Sequence, residues 1–300
     1  MNNIKNIVLL ILFIVYVFYL YIEEPLVTDE DPYRFNNYQE AQLDEHKLAL
    51  STIYQKGSTI KGLILGGSNA MSGLSARQMS DQTGEGVFYN FSLSGSKYKV
   101  DIYLDYLKEA SYLINAATVE AIIFSDLTFF TRDSVDDTVN YDEKRTRVKI
   151  FPRTPMLKYL KNKIAPSKYS RDFEFGDFDW ETSASQVAPD GCDPLGEPFT
   201  MIPNSLDYIF QRSLKFSQSI KEIFPNSKTY FVVPTIYSEN INLYEDYFND
   251  LKTSFSEANL NLILKPPKSD STIFCLSGFY VNVGGRIIRT NDVIEIINKN

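Results

Sequence analysis

From Ile60 to the C-terminus, short apolar runs alternate with longer amphipathic stretches, and this alternation constrains the fold most strongly. The runs that predict strands are 62–66, 87–93, 119–126, 229–234 and 260–264. The stretches that predict helices are 72–78, 99–114, 205–223, 242–258 and 291–298. Because strands this apolar must be covered on both faces, we expect an α/β fold: a three-layer α/β/α sandwich around a mostly parallel sheet. Functional groups should then lie at the carboxyl ends of the strands.

The first predicted strand leads into a glycine turn that is followed by a serine. Gly66 and Gly67 precede Ser68, and a helix is predicted to begin close to this serine. A turn of this kind presents a nucleophile, whereas a serine at the start of a helix also serves as its cap. Ser68 is therefore a candidate nucleophile, with a structural capping role as the alternative.

The chain contains a single histidine, His46. It falls within a stretch of helical periodicity, 38–54, and its neighbours Asp44, Glu45 and Lys47 are polar. These neighbours favour a solvated helix face over a catalytic role. Without an imidazole near it, Ser68 lacks the usual proton acceptor of a serine nucleophile.

An uncharged apolar segment, 6–22, lies near the N-terminus between Lys5 and the pair Glu23 and Glu24. Its length is near the lower limit for a membrane span, and the flanking charges favour an N-inside orientation. No small-residue cleavage site follows, so a retained anchor is expected rather than a removed signal peptide. The alternative, a buried N-terminal helix of a soluble protein, would require a polar face that the segment does not have.

These observations predict three parts of the chain. Residues 1–23 would be a single-pass anchor in the cytoplasmic (inner) membrane, and 24–59 a juxtamembrane linker and helix. Residues 60–300 would form one α/β domain in the periplasm or another extracytoplasmic space, with an insertion at about 131–203. A length of 300 residues with 44% hydrophobic content suits one such body.

Charge and cysteine content exclude several classes of partner. The net charge of -8 disfavours nucleic acid. Cys192 and Cys275 match no metal-ligand spacing, and we expect neither a metal nor a cofactor. These two cysteines form either one disulfide or two buried free thiols.

Within the insertion, 144–171 is rich in Lys and Arg and has no acidic residue, whereas the following stretch to Glu197 is mostly acidic. Such segregation is more than a solvated face usually shows. The basic segment 144–171 is expected to lie against anionic lipid headgroups, to contact a membrane partner or to bind an anionic glycan. A merely solubilising loop is the alternative.

Three blocks of the sequence follow one another in a recognisable order: Gly66-Gly67-Ser68-Asn69 with Gly73-Leu74-Ser75, then Asn90-Phe91-Ser92-Leu93-Ser94-Gly95, and finally Asn282-Val283-Gly284-Gly285-Arg286-Ile287-Ile288-Arg289-Thr290. Together they resemble the SGNH (GDSL-like) hydrolase superfamily, especially its membrane-anchored branch associated with cell-surface polysaccharide acylation. The resemblance covers the chain from about Ile60 onward. It implies a nucleophilic Ser68 whose oxyanion is held by its own amide, by the amide of Gly95 and by the side chain of Asn69.

The last block departs from the family's pattern, D-x-x-H-L-N-x-x-G-R-x-x-R-T. Aligning Asn282 and Gly285 with that pattern places Tyr280 at the histidine position and Ser277 at the aspartate position. A phenol with a reference pKa of about 10 is a poor base for a serine at neutral pH. Lys97 or Lys99 would replace the histidine only if desolvated.

Two functions of different classes remain open. The first is a membrane-anchored acetylesterase or O-acetyltransferase that acts on a cell-surface polysaccharide through Ser68. The second is a catalytically inactive SGNH-like module that binds a glycan or supports a membrane-bound O-acyltransferase. In either case the loop 235–240 is the expected wall of the ligand cleft. Tyr244, Tyr247 and Phe248 are expected in the core, because their spacing is helical, rather than as a sugar-stacking platform with Tyr237.

Overall fold

The computed structural model describes residues 13, 34–84, 86–93, 104, 107–108, 110–130, 172, 174–177, 203–235, 244–264, 273–275 and 280–299. The predicted membrane segment 6–22 lies outside these residues except for position 13. Among the helices described, none combines the length and the apolar character that crossing a bilayer requires. The basic segment 144–171 also lies outside the described residues.

The centre of the domain is a parallel sheet with the strand order β2-β1-β3-β4-β5. Its strands are β1 (Ile60–Gly66), β2 (Val87–Asn90), β3 (Ala121–Ser125), β4 (Lys228–Val232) and β5 (Asn261–Ile263). All four neighbouring pairs are parallel, and Gly66 at the end of β1 lies opposite Ser125 at the end of β3. The predicted α/β fold with a parallel sheet is thus confirmed.

α-Helices, two 3-10 turns (Ser111–Leu113 and Ala116–Thr118) and one short hairpin complete the described domain. The helices are α1 (Arg34–Gln55), α2 (Ser68–Gly73), α3 (Ala76–Thr83), α4 (Leu127–Phe130), α5 (Leu206–Ile223), α6 (Glu245–Glu257) and α7 (Val283–Ile297). The hairpin is formed by β6 (Phe274–Cys275) and β7 (Tyr280–Val281), which pair antiparallel.

Two buried apolar clusters lie on the two faces of the sheet, as alternate residues of β1 show. Leu63 and Leu65 belong to the first cluster together with side chains of α1, α5 and α6. Ile64 belongs to the second, with side chains of α3 and α7. Successive side chains of a strand point to opposite faces, so both faces of the sheet are covered by helices. Tyr244 and Phe248 are buried in the first cluster and Tyr247 packs against it, which confirms their predicted core role.

Two predicted helices differ from the structure in more than their terminal residues. The stretch 72–78 is divided between α2 and α3, because the Ser75 hydroxyl accepts a hydrogen bond from the amide of Gln78 and caps a new helix. The last helix begins at Val283 rather than at 291, because Asn282 accepts from the amide of Gly285 at 2.9 Å. Adjacent glycines lower helix propensity, but this cap and the burial of Gly285 override it.

Candidate functional site

Ser68 lies at the carboxyl end of β1, an inner strand of the sheet, where the chain turns into α2. It is partly buried and is the first residue of the helix. The cap position belongs to Gly67, whose carbonyl accepts from the amides of Ala70 and Met71 at 3.1 Å. The alternative role of Ser68 as a helix cap is therefore wrong, whereas the predicted strand, glycine turn and helix are present.

The turn before Ser68 has a backbone conformation that favours glycine. Gly66 has φ +143°, and a Cβ atom at this position would overlap the main-chain carbonyl oxygen of Ser125. Side chains rarely adopt such a φ value, and the end of β3 leaves no room for one. Gly66 therefore brings the end of β3 directly against the Ser68 turn.

A carboxylate lies beside this turn. Asp126 directly follows β3, its exposed fraction is 9%, and a Cβ atom on Gly67 would lie 3.3 Å from its Oδ2 atom. We did not single out Asp126 from the sequence. Its position after an apolar strand, next to the strand that carries Ser68, is the signal that could have identified it.

A buried arginine from the last block lies behind the same turn. Arg289 is 5% exposed; its Nη1 donates to the carbonyl oxygen of Asn69 at 3.1 Å, and its Nη2 donates to Oγ of Ser125. Within the part of the chain that the structure describes, its Nε has no hydrogen-bond partner and no carboxylate forms an ion pair with it. Burial lowers the pKa of Arg289 to about 10, so its guanidinium stays charged at neutral pH.

Residues of the three resembling blocks meet around α2. The Asn90 side chain donates to the Leu74 carbonyl oxygen at 3.2 Å, which joins the second block to the first. The amide of Ser75 donates to Oγ1 of Thr290 at 3.1 Å, which joins the last block to the first. Strand β7 also lies against α2. The C-terminal block is therefore next to the Ser68 helix, as the alignment requires.

The acidic part of the insertion returns to this end of the domain. Asp177 is buried and accepts hydrogen bonds from the Ser75 hydroxyl at 2.7 Å and from the amides of Ala76 and Arg77 at 2.7 and 3.0 Å. It thus caps α3 from a distance of about a hundred positions in sequence. No local pattern distinguishes it from the acidic residues around it, so the sequence alone did not identify this contact.

Several predicted site residues cannot be placed. Gly95, Ser277, Lys97 and Lys99 lie outside the described residues. So do Cys192 and most of the loop 235–240. The backbone of Tyr280 is described and pairs with that of Cys275 in the β6–β7 hairpin. Asn69 is buried, and its main-chain carbonyl is the acceptor for Arg289. The oxyanion role of its side chain stays a prediction.

The expectation that His46 lies on a solvated helix face is wrong. Its exposed fraction is 0%. Its Nδ1 lies 2.9 Å from the hydroxyl of Tyr89, its Nε2 lies 3.2 Å from the carbonyl oxygen of Ser92, and its ring packs against Phe91. A carbonyl oxygen can only accept, so Nε2 carries a proton and donates it. The imidazole joins α1 to the segment around β2, and both its nitrogens are engaged there.

Replacing His46 by glutamine should reveal this structural role. We expect His46→Gln to lower the free energy of unfolding by about 1 to 3 kcal/mol, because the buried Tyr89 hydroxyl and Ser92 carbonyl lose well-placed partners. Urea unfolding measures this loss. Covalent labelling of Ser68 by a serine-directed probe should stay within about twofold of the wild type. A folded variant with strongly reduced labelling would instead make His46 part of the site.

No family model and no curated protein matches the sequence. Similar solved structures include an active-site mutant of a family two carbohydrate esterase from Clostridium thermocellum (TM-score 0.44, 7% identity, covering 81% of this chain and 64% of that chain). A lipase from a goat rumen metagenome has a TM-score of 0.41, 11% identity and coverage of 78% of this chain and 96% of that chain. A carbohydrate esterase family 2 enzyme with a carbohydrate binding domain from Corynascus thermopiles has a TM-score of 0.38, 13% identity and coverage of 80% and 66%. The chain therefore spans less than two thirds of the length of the first esterase.

Proposed function

We propose that this protein is an SGNH-type acyl-ester hydrolase or acyltransferase in which Ser68 is the nucleophile. The proposal depends chiefly on one observation, the partly buried Ser68 at a glycine turn with the Asp126 carboxylate against it. The meeting of the three resembling blocks around α2 supports the same assignment. Catalytic groups of open parallel sheets are found at this end of the strands.

In the proposed reaction, Ser68 Oγ attacks the carbonyl carbon of an acyl ester, and Asp126 takes up the hydroxyl proton. The tetrahedral intermediate collapses to an acyl-serine, and the alcohol leaves with that proton. Water or another hydroxyl then attacks the acyl-serine in the reverse sequence of proton transfers. A carboxylate is a weaker base than an imidazole at neutral pH, so turnover should be slow.

The substrate we propose is an acetyl ester on a cell-surface polysaccharide. The support is the resemblance to the anchored branch of the family and the apolar segment 6–22, which would hold the domain outside the cytoplasmic membrane. The basic segment 144–171 would contact anionic lipid or an anionic glycan, and a membrane-bound O-acyltransferase is the proposed partner.

Labelling with a fluorophosphonate probe tests whether Ser68 is a nucleophile. The purified full-length protein should acquire one covalent adduct, and Ser68→Ala should abolish it because the attacking oxygen is gone. Ser58→Ala, which changes an exposed serine in the turn before β1, is the matched control and should be labelled like the wild type. Intact-protein mass spectrometry measures the adduct.

Both ring nitrogens of His46 have hydrogen-bond partners, Tyr89 and Ser92, so its imidazole is not offered to Ser68. This favours a second candidate function, a non-catalytic module that binds a polysaccharide or supports an acyltransferase. No other imidazole exists in the chain. Absence of any adduct on a folded wild-type protein would reject the nucleophile and leave this module. Binding of an acetylated polysaccharide by both wild type and Ser68→Ala would then support it.

A further inference from the structure

We propose that Arg289 is a positioning residue of the Ser68 site, whose buried guanidinium fixes the start of α2 against the end of β3. The inference rests on the proposed function in treating Ser68 and Asp126 as reactive groups. The link that Arg289 makes between α2 and β3 is a feature of the fold itself. Arg289 binds the carbonyl oxygen of Asn69, one residue after Ser68. It also binds Oγ of Ser125, one residue before Asp126. One side chain therefore connects the neighbours of the two reactive groups.

The surrounding residues leave the space that this link requires. A Cβ atom on Gly73 would overlap Nη1 of Arg289, so the last residue of α2 must be glycine for the guanidinium to reach Asn69. Ser125 is fully buried, and its hydroxyl is an acceptor for Nη2. Thr290, the next residue of α7, accepts the amide hydrogen of Ser75. Helix α7 thus contacts α2 near its start, at Asn69, and the chain just beyond its end, at Ser75.

The charge of Arg289 is costly for a residue with only a structural role. Among the described residues this buried cation has no ion-pair partner to compensate for its lost hydration, and none of them accepts a hydrogen bond from its Nε. Negative charge that develops on Ser68 Oγ or on an acyl oxyanion during the reaction would be favoured by a cation behind α2. Arg289 therefore orients Ser68 and Asp126 and adds a positive potential to their surroundings.

Two measurements on the full-length protein test this inference. The first is amide hydrogen exchange of residues 68–73, compared with the amides of β1 and β3. The second is the pH profile of fluorophosphonate labelling between about pH 5 and 9. The variants are Arg289→Met, which removes the charge, and Arg289→Lys, which keeps it. Ser125→Ala is a milder change that removes one acceptor, and Arg77→Gln is a control at an exposed arginine of α3.

In Arg289→Met, the amide hydrogens of residues 68–73 should exchange about tenfold faster than in the wild type. The exchange rates of the β1 and β3 amides should change by less than about twofold. The labelling of this variant should slow by about tenfold or more at neutral pH, with the profile displaced to higher pH. Arg289→Lys should recover most of the labelling, and Arg77→Gln should match the wild type in both measurements. If Arg289→Met does not fold, Ser125→Ala should show the same local exchange with a smaller amplitude.

Uniformly faster exchange across the sheet and residues 68–73 would overturn the inference, because Arg289 would then act on global stability only. An unchanged pH profile in a labelled Arg289→Met protein would also overturn it. A wild-type protein that is never labelled would reject the proposed function instead. In that case the local exchange decides the positioning role by itself.

Discussion

Replacing Gly66 by alanine is expected to lower the free energy of unfolding by more than about 3 kcal/mol, which is enough to prevent folding in a marginally stable domain. The new Cβ atom would overlap the Ser125 carbonyl oxygen, and φ +143° is itself unfavourable for alanine. Ser125 ends a central strand and cannot move away without breaking its pairing with β1. Urea unfolding followed by circular dichroism measures the change.

Gly57→Ala provides a matched control for this prediction. Gly57 also has a positive φ, +70°, but no described residue lies within 4 Å of a Cβ atom placed there. Gly57→Ala should therefore lower the free energy of unfolding only by the cost of placing alanine at a positive φ, about 1 kcal/mol. Equal losses for the two variants would show that backbone conformation, rather than the close approach of β3, explains the need for glycine at Gly66.

Introducing the aspartate and histidine of the SGNH pattern that the last block resembles should raise esterase activity. The double variant Ser277→Asp with Tyr280→His is expected to increase hydrolysis of p-nitrophenyl acetate by about 10²-fold to 10⁴-fold, the usual contribution of a positioned general base. The expectation depends on the alignment of the last block, which β7 supports because it lies against α2. Initial rates at neutral pH for the double variant and both single variants measure the effect.

The same pair introduced into Ser68→Ala separates this gain from unspecific hydrolysis. The triple variant should have no gain, since a new histidine without the serine has no nucleophile to activate. A folded double variant that hydrolyses no faster than the wild type, although Ser68 is still labelled, would show that Tyr280 and Ser277 do not occupy the histidine and aspartate positions.

The pattern of apolar runs was sufficient to predict the architecture and the presentation of Ser68. The nearly uninterrupted apolar character of β1 and β3 is a local property, and it required a sheet covered on both faces. The glycine turn before Ser68 could also be predicted from the sequence, because two consecutive glycines after a buried strand are typical of a tight turn.

The prediction for His46 failed for an identifiable reason. Its sequence neighbours are polar, but helical periodicity places residues of one face three or four positions apart. His46 shares its face with Leu43 and Leu50, which are both buried. The hydrophobic stripe of α1 therefore includes the imidazole, and Tyr89 and Ser92 satisfy its nitrogens.

The sequence by itself determined the sheet, its helical layers and the serine at the strand end, because these follow from periodicity and turn chemistry within short windows. Only the tertiary structure decided which groups meet there. Asp126, Asp177 and Arg289 reach the segment around α2 from far along the chain. Such contacts depend on strand order and on helix packing, and no local pattern encodes which distant charges these bring together.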